Sequence, residues 1–181
     1  PLWEQFFFYI AGLLRGDFGR SLLNGAEVLP LVGARVLVTL EIMVPSLIIG
    51  VLVGVSAGTF ASLKRGTYAD RLVMFGAVAG FTVPGFVLGL VLVLVFAVHL
   101  GWLPSGGNDS WESAILPIVT LSTGWAAILA RFTRGSMVEV LGQPFIRTAS
   151  AKGLLWRSVI TRHALPNAAI PVVTTIGFMV G

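Results

Sequence analysis

Residues 72–98 are LVMFGAVAGFTVPGFVLGLVLVLVFAV, a run of 27 residues without a charged side chain. A bilayer core of about 30 Å is crossed by about 20 apolar residues in a helix. A helix of the longer length measures about 40 Å, so it must tilt, kink or protrude from the bilayer. Pro84, followed by Gly85, is the position where a kink is expected. The run predicts a bent membrane-spanning helix.

The composition extends this conclusion to the whole chain. Apolar residues make up 56% of its 181 residues and charged residues only 11%, against about 25% charged in a typical soluble domain. That surplus excludes a free-standing soluble domain, and it also excludes disorder, which needs low hydrophobicity. The apolar runs lack the alternation of barrel strands. We predict an all-α, polytopic membrane helix bundle with a lead-in segment at 1–35 and spans at about 36–63, 72–100, 113–133 and 163–181.

The lead-in segment begins with an apolar stretch, Leu2–Leu14, whose 13 residues are too few to span a bilayer. We expect this stretch to lie in the outer membrane interface, with turns following at 15–17 and 24–25. The chain begins without Met and ends within an apolar run. We therefore expect it to be an internal piece of a longer protein.

The basic residues predict the orientation in the membrane, because cytoplasmic loops carry an excess of Lys and Arg. Three of the 12 precede the first span, and the other nine follow the first or the third span: Lys64, Arg65, Arg71, Arg131, Arg134, Arg147, Lys152, Arg157 and Arg162. The segments 64–71 and 131–162 are thus predicted to be cytoplasmic, and both visible ends external. The charges lie between apolar runs and form no single stripe, so the net charge of +4 does not indicate nucleic-acid binding.

Catalytic signatures are absent from the sequence. The chain has no Cys, and its two His residues, His99 and His163, are too far apart for an HExxH motif. It also lacks the phosphate-binding GxxxxGK[ST] loop and the GxSxG and GxGxxG motifs. The spans hold essentially no ionisable side chains, which counts against a carrier driven by an ion gradient. We predict that the chain is not an enzyme.

Glycines recur at helical spacing within two of the predicted spans. Gly50, Gly54 and Gly58 lie four residues apart, and the pairs 76/80 and 85/89 repeat that spacing. Small residues so placed let two helix backbones approach closely in lipid. We predict close packing for the triple, whereas for the pairs chance recurrence among 22 glycines is an equal explanation.

The cytoplasmic coupling loop at 134–162 contains a short predicted helix. Pro144 is well placed as its first residue and Gly153 as its C-terminal stop, with a positive φ at that glycine. A second amphipathic stretch, 154–162, leads into the last span. Such a helix either docks into a groove on a cytoplasmic partner or rests on anionic lipid. Physical reasoning alone leaves these two interpretations equal.

The same loop resembles that of ABC-importer permeases, on the segments GQPFIRTASAKGL (142–154) and RHALPNAAIPVVT (162–174). The general motif there is EAAxxxG followed by IxLP. The matching residues are Ala149, Gly153, Leu165 and Pro166. Arg147 replaces Glu and His163 replaces Ile, as is typical of the dipeptide and oligopeptide branch, whose first (B-type) permease subunit the chain resembles. The resemblance continues through LRGDFGRS (14–21), KRGTYADR (64–71) and GWLP (101–104).

This resemblance implies a type I ABC-importer permease fold and alternating-access import of peptides across the bacterial inner membrane, in which the chain is multi-pass. The implied partners are a second homologous permease subunit, two cytoplasmic ATPase subunits and an external substrate-binding protein. ATP and Mg²⁺ are bound by the ATPases, so no cofactor is expected in this chain. The helix at 144–153 is the coupling helix that docks on an ATPase.

The expected site residues fall into two groups. Those of the ATPase-coupling loop are Phe145, Arg147, Thr148, Ala149, Lys152, Gly153 and Leu154. We expect Arg147 and Lys152 to face the partner or headgroups, and Ala149 to lie where a larger side chain would clash. The candidates for the pathway lining are Phe81, Thr82, Pro84 and Trp125, for which ordinary helix packing is the alternative. No metal ligands are expected.

Three alternatives stay open at this point. Within the family the substrate is nickel or glutathione in place of peptides. From another class, the protein is a secondary carrier or channel, which needs an ion gradient and no ATPase. A membrane scaffold that transports nothing is the third.

The charge distribution yields a direct test of topology. A single cysteine in the variant Ser150→Cys should be inaccessible to membrane-impermeant thiol reagents added outside the cell, because position 150 is predicted to be cytoplasmic. The variant Ser105→Cys should label readily. The reverse labelling pattern would refute the predicted orientation.

Overall fold

The protein is described by a computed structural model that covers residues 1–180, and all regular segments in that range are helical. The predicted all-α fold is thereby confirmed. The chain forms two compact units, Pro1–Ile42 and Met43–Gly181. Two helices are long and apolar enough to cross a membrane, and a third crossing results if one strongly bent pair of helices counts as a single span.

The first unit contains helix α1, Leu2–Leu14, in which no residue is buried. A turn with Gly16 at φ +83° follows, and then a small hairpin in which Arg20 and Glu27 form an antiparallel bridge. The N–H of Ser21 donates to the carbonyl of Ala26 at 2.8 Å, and Gly25 has φ +67° in the turn. Both predicted turns are present.

Helix α2, Val28–Leu63, begins before the predicted start at 36 and includes Pro45. The glycines of the predicted triple, Gly50, Gly54 and Gly58, are buried against helix α5, Ile115–Leu141. A Cβ at Gly54 would lie 2.7 Å from the Cβ of Leu129 and 2.8 Å from the backbone oxygen of Ala126. Gly50 and Gly58 approach α5 equally closely. The predicted close packing of this triple is confirmed.

The glycine pairs of the second predicted span behave differently from the triple. A Cβ at Gly80 would lie 3.4 Å from the Cβ of Ala127, and one at Gly89 would lie 3.7 Å from Thr120. Gly76 and Gly85 have no atom of another element within 4 Å of that position. One glycine of each pair therefore contacts α5 at ordinary distance, and the other contacts nothing.

The predicted span at 72–100 is two helices rather than one. Helix α3, Tyr68–Thr82, and helix α4, Gly85–Leu92, meet at an angle of 97°, and α4 continues as a π-helix over Val93–His99. The kink expected at Pro84 is present but much sharper than a kinked span requires. Proline has no N–H to continue the helix, and it forces the residue before it toward extended backbone. Val83 accordingly has φ −70° and ψ 119°.

Helix α5 is the central element of the second unit. It follows a short 3-10 turn, Trp111–Ala114, and packs against α2, α3, α4 and the last helix, α8, Leu165–Val180. The prediction ended this span at 133, yet α5 continues to Leu141, so the connecting loop begins later than 134. Helix α8 has 16 residues and continues the helix that begins at Trp156.

The contact between α2 and α5 yields a stability prediction. In Gly54→Ala the added methyl group meets backbone of α5, which cannot rotate away, so we expect a loss of about 1–3 kcal/mol in the free energy of unfolding. The measurement is the thermal unfolding midpoint of the purified protein in detergent.

Gly76→Ala is the matched control, because its methyl group enters open space within a helix. It should be neutral or stabilising by about 0.5–1 kcal/mol, since alanine favours the helix. Equal midpoints for Gly54→Ala and the unmodified protein would contradict the role given to this packing.

Candidate functional site

A short helix that follows α5, in the segment predicted to be cytoplasmic, is the main candidate site. This helix, α6, runs over Pro144–Ala151 and has proline at its first position, where a missing N–H leaves no bond unmade. Lys152 caps its end, and Gly153 follows with φ +77° and an N–H that donates to the carbonyl of Ser150 at 3.0 Å. Both predicted ends and the positive φ are confirmed.

One face of α6 packs on the chain itself. Ile146 and Ala149 are only 3% and 6% exposed and belong to a hydrophobic core with Met137, Val159, Ala164 and Ala168. The helix is therefore fixed against the ends of α5 and of the segment leading into α8. Ala149 was expected where a larger side chain would clash, and the structure shows that its buried contacts are with this core. The short helix turns its small residue inward because i and i+3 positions share one face.

The opposite face of α6 is open. The remaining predicted coupling residues are all exposed: Phe145, Arg147, Thr148, Lys152, Gly153 and Leu154. Phe145 is 41% exposed and Leu154 is 42% exposed, and two cations lie between them in the sequence. The exposed face of α6 combines apolar area with positive charge, and the buried residues Ile146 and Ala149 on the opposite face hold the helix in place.

A turn over 152–155 connects α6 to a nearly continuous helix that leads into the last predicted span. Helix α7, Trp156–Val159, passes into a π-helix, Ile160–Ala164, and then directly into α8. The predicted amphipathic stretch at 154–162 is thus largely the beginning of the helix that forms the span. The shared core joins α6 to α5 through Met137 and to α8 through Ala168.

An ion pair that the sequence does not predict fixes the turn between α2 and α3. Arg134 donates from Nε and Nη2 to the two carboxylate oxygens of Asp70, both at 2.7 Å. The N–H of Gly66 donates to the same carboxylate at 3.0 Å, and Thr67 caps the start of α3. The pair joins the turn between α2 and α3 to α5, about two helical turns before the end of α5 at Leu141.

These hydrogen bonds determine the charge of Asp70. They lower the pKa of its buried carboxyl from 3.8 to about 2, chiefly through the hydrogen bonds from Arg134, although burial acts in the opposite direction. The same pairing raises the pKa of Arg134. The pair is therefore fully charged at every physiological pH. The Thr-x-x-Asp pattern at 67–70 predicts the helix start, but no local pattern predicts the partner 64 residues away.

The pathway candidates separate into two places. Phe81, Thr82 and Pro84 are exposed together at the break between α3 and α4. Trp125 is half-buried on α5, at the place where α2 packs, and a Cβ added at Gly50 would lie 2.8 Å from the Cβ of Trp125. For Trp125 this contact is the helix packing given as the alternative. Within residues 1–180 no three His, Cys, Asp or Glu side chains come together as a metal site would require.

A sequence model of the family described as "Binding-protein-dependent transport system inner membrane component" matches residues 50–181. The chain belongs to this family of ABC-importer permease subunits, and the resemblance noted in the sequence is confirmed.

Individual relatives support the same assignment. Over all 181 residues the chain is 44% identical to the glutathione transport system permease protein GsiC of Escherichia coli K12 and to its counterpart in Shigella dysenteriae serotype 1. The GsiC protein of Shigella flexneri serotype 5b is also 44% identical. The chain spans 59% of the length of these relatives.

The Asp70–Arg134 pair yields a pH prediction. Because the folded-state pKa lies below the ordinary value, the stabilisation is fully present above about pH 4 and is lost as the pH falls from 3.8 toward 2. We expect no contribution of this pair to any pH dependence of the unfolding midpoint between pH 5 and 8. Asp70→Asn should lower the free energy of unfolding by about 2–4 kcal/mol at pH 7, because the partly buried guanidinium loses its counter-charge.

Asp109→Asn, an exposed carboxylate of the outer loop, serves as the control and should leave the midpoint unchanged. The double variant Asp70→Asn with Arg134→Gln should recover part of the loss. A thermal unfolding midpoint for Asp70→Asn equal to that of the control would show that the Asp70–Arg134 pair does not stabilise the contact between α5 and the turn that joins α2 to α3.

Proposed function

We propose that this chain is the core of a permease subunit of an ATP-driven importer that moves small peptides across the bacterial inner membrane by alternating access. The observation that supports this most directly is α6. Its inner residues Ile146 and Ala149 anchor it to the bundle, and its outer residues Phe145 and Arg147 are exposed. Family membership adds the kind of machine in which such a helix works.

The coupling follows from how α6 is attached. An ATPase subunit that binds the outer face and moves when ATP binds would displace α6 as a rigid piece. Because α6 shares a core with α5 and leads into α8, both helices would move with it. Such a rearrangement of packed helices is an established way to open one side of a pathway and close the other.

The proposal includes the subunits that the chain needs. ATP and Mg²⁺ are bound by two cytoplasmic ATPase subunits, and hydrolysis takes place there. A second homologous permease completes the pathway, and an external binding protein delivers the substrate. The complete subunit crosses the membrane several times, and the segment 142–164 lies on the cytoplasmic side.

The proposed substrate class is small peptides. The relatives from Escherichia coli and Shigella are named for glutathione, which is itself a tripeptide with two carboxylates. We therefore place glutathione within the proposed class rather than outside it. The substrate choice is shared with the external binding protein, which binds the substrate first.

The test uses the complete transporter with its ATPases and binding protein. Phe145→Asp places a charge on the outer face of α6 without touching its buried face, so we expect normal membrane levels and loss of ATPase co-purification. Uptake and substrate-stimulated ATP hydrolysis should fall together. Gly153→Asp should act in the same direction, because a Cβ at φ +77° is strained by about 1 kcal/mol or more.

Phe18→Asp is the matched control, since Phe18 is exposed to 42% but lies in the lead-in segment predicted to be external. It should retain the ATPase subunits in the purified complex. Full transport by both α6 variants would refute the coupling role. Uptake that needs an ion gradient and no ATPase would instead identify a secondary carrier.

A further inference from the structure

Arg131 is an exposed cation that the coupling mechanism does not use. Its guanidinium lies over the ring of Phe81, with Cζ 5.5 Å from the ring centroid. In the described part of the chain the ion pairs are Pro1–Glu4 and Asp70–Arg134, so Arg131 has no acidic partner there. The charge is held by an aromatic ring on one side and is open on the other.

The charge count assigns Arg131 to the cytoplasmic side, but the position of Phe81 indicates that the guanidinium extends from there toward the membrane. Phe81 follows Asp70 by 11 positions along α3, which is about 16 Å of helix. The Cα atoms of Arg131 and Arg134 lie about one turn apart on α5, but their side chains extend in opposite directions along α3. Arg134 contacts Asp70 near the start of α3, and Arg131 contacts Phe81 near its end. The neighbouring Gly80 lies at the level of Ala127 on α5, farther from the cytoplasm than Arg131. The guanidinium of Arg131 is therefore directed toward the membrane interior.

Lipid is an unfavourable neighbour for this surface. A cation at membrane depth costs more than a single cation–π contact returns, so such residues almost always face other protein or a water-filled cavity. The helix break beside Phe81 supports the same conclusion independently. It leaves the first N–H groups of α4, at Gly85 and Phe86, without helical partners, and non-helical backbone at membrane depth is tolerated only inside protein or along water.

We propose that Arg131 binds a carboxylate of the passing peptide and that Phe81 holds its guanidinium in position for this contact. The inference rests on the proposed function, since it names the chemical group that the pathway recognises. A guanidinium stacked on a ring keeps its N–H edge free, and that edge matches the two oxygens of a carboxylate. Arg131 is thus a specificity residue for anionic substrates, and Phe81 is a positioning residue.

The experiment measures uptake by the complete transporter in vesicles, with a tripeptide and its C-terminal amide as probes. Arg131→Gln should lower the ratio of acid to amide uptake roughly tenfold, the change expected when one charge-assisted contact of ordinary strength is lost. Arg131→Lys should keep most of that ratio because it keeps the charge. Phe81→Leu should lower it less than Arg131→Gln does.

Arg71→Gln is the matched control. Arg71 also lies 5.5 Å from an aromatic ring, that of Tyr68, but it lies at the predicted cytoplasmic turn. This variant should leave the acid-to-amide ratio unchanged.

For Arg131→Gln, an unchanged ratio of acid to amide uptake would overturn this inference alone, whether uptake of both probes stays normal or falls equally at normal membrane level. An equal fall that appears only in vesicles with anionic phospholipid would also overturn it, and would show that the cation binds lipid headgroups. If the unmodified complex carried neither probe, the proposed peptide transport and this inference would both fall.

Discussion

The contact between α2 and α5 is the constraint on which the second unit depends. In lipid no hydrophobic force draws helices together, so they associate through close van der Waals packing. Gly50, Gly54 and Gly58 provide it by presenting no side chains to α5. With α2 this close, α5 can also pack against α3 and α8 on its other sides. Because these three glycines have no side chains, α2 can lie directly against the backbone of α5.

The C-terminal end of α5 is fixed by two interactions of different character. The Asp70–Arg134 pair is directional and holds the turn between α2 and α3 through two short hydrogen bonds. The core around Met137 and Ile146 is apolar and holds α6. Together they join the turn between α2 and α3 and the helix α6 to one helix, so that a force on either segment acts on α5.

The sequence predicts those features that local chemistry determines. Apolar runs locate the spans, Pro84 locates the break, and Pro144 and Gly153 delimit α6. The 97° bend exceeds what a proline alone requires, and it depends on how α4 packs against α5. Arg131 and Arg134 end the apolar run, and the span is therefore predicted to end at 133. The helix continues to Leu141 because its backbone hydrogen bonds do not need apolar side chains. The partner of Asp70 and the inward orientation of Ala149 depend on contacts distant in sequence.

The π-helix at Ile160–Ala164 determines which side of α8 faces the bundle. Ala164, Ala168 and Val172 recur every four residues and form the buried stripe that continues from it. Each residue of an α-helix turns the chain by about 100°. Removing one residue from this π-helical segment would therefore rotate the stripe by about 100° and turn side chains that are now exposed toward the bundle. Related chains can vary in composition here, but a change in length is compatible with the bundle only if the register is restored nearby.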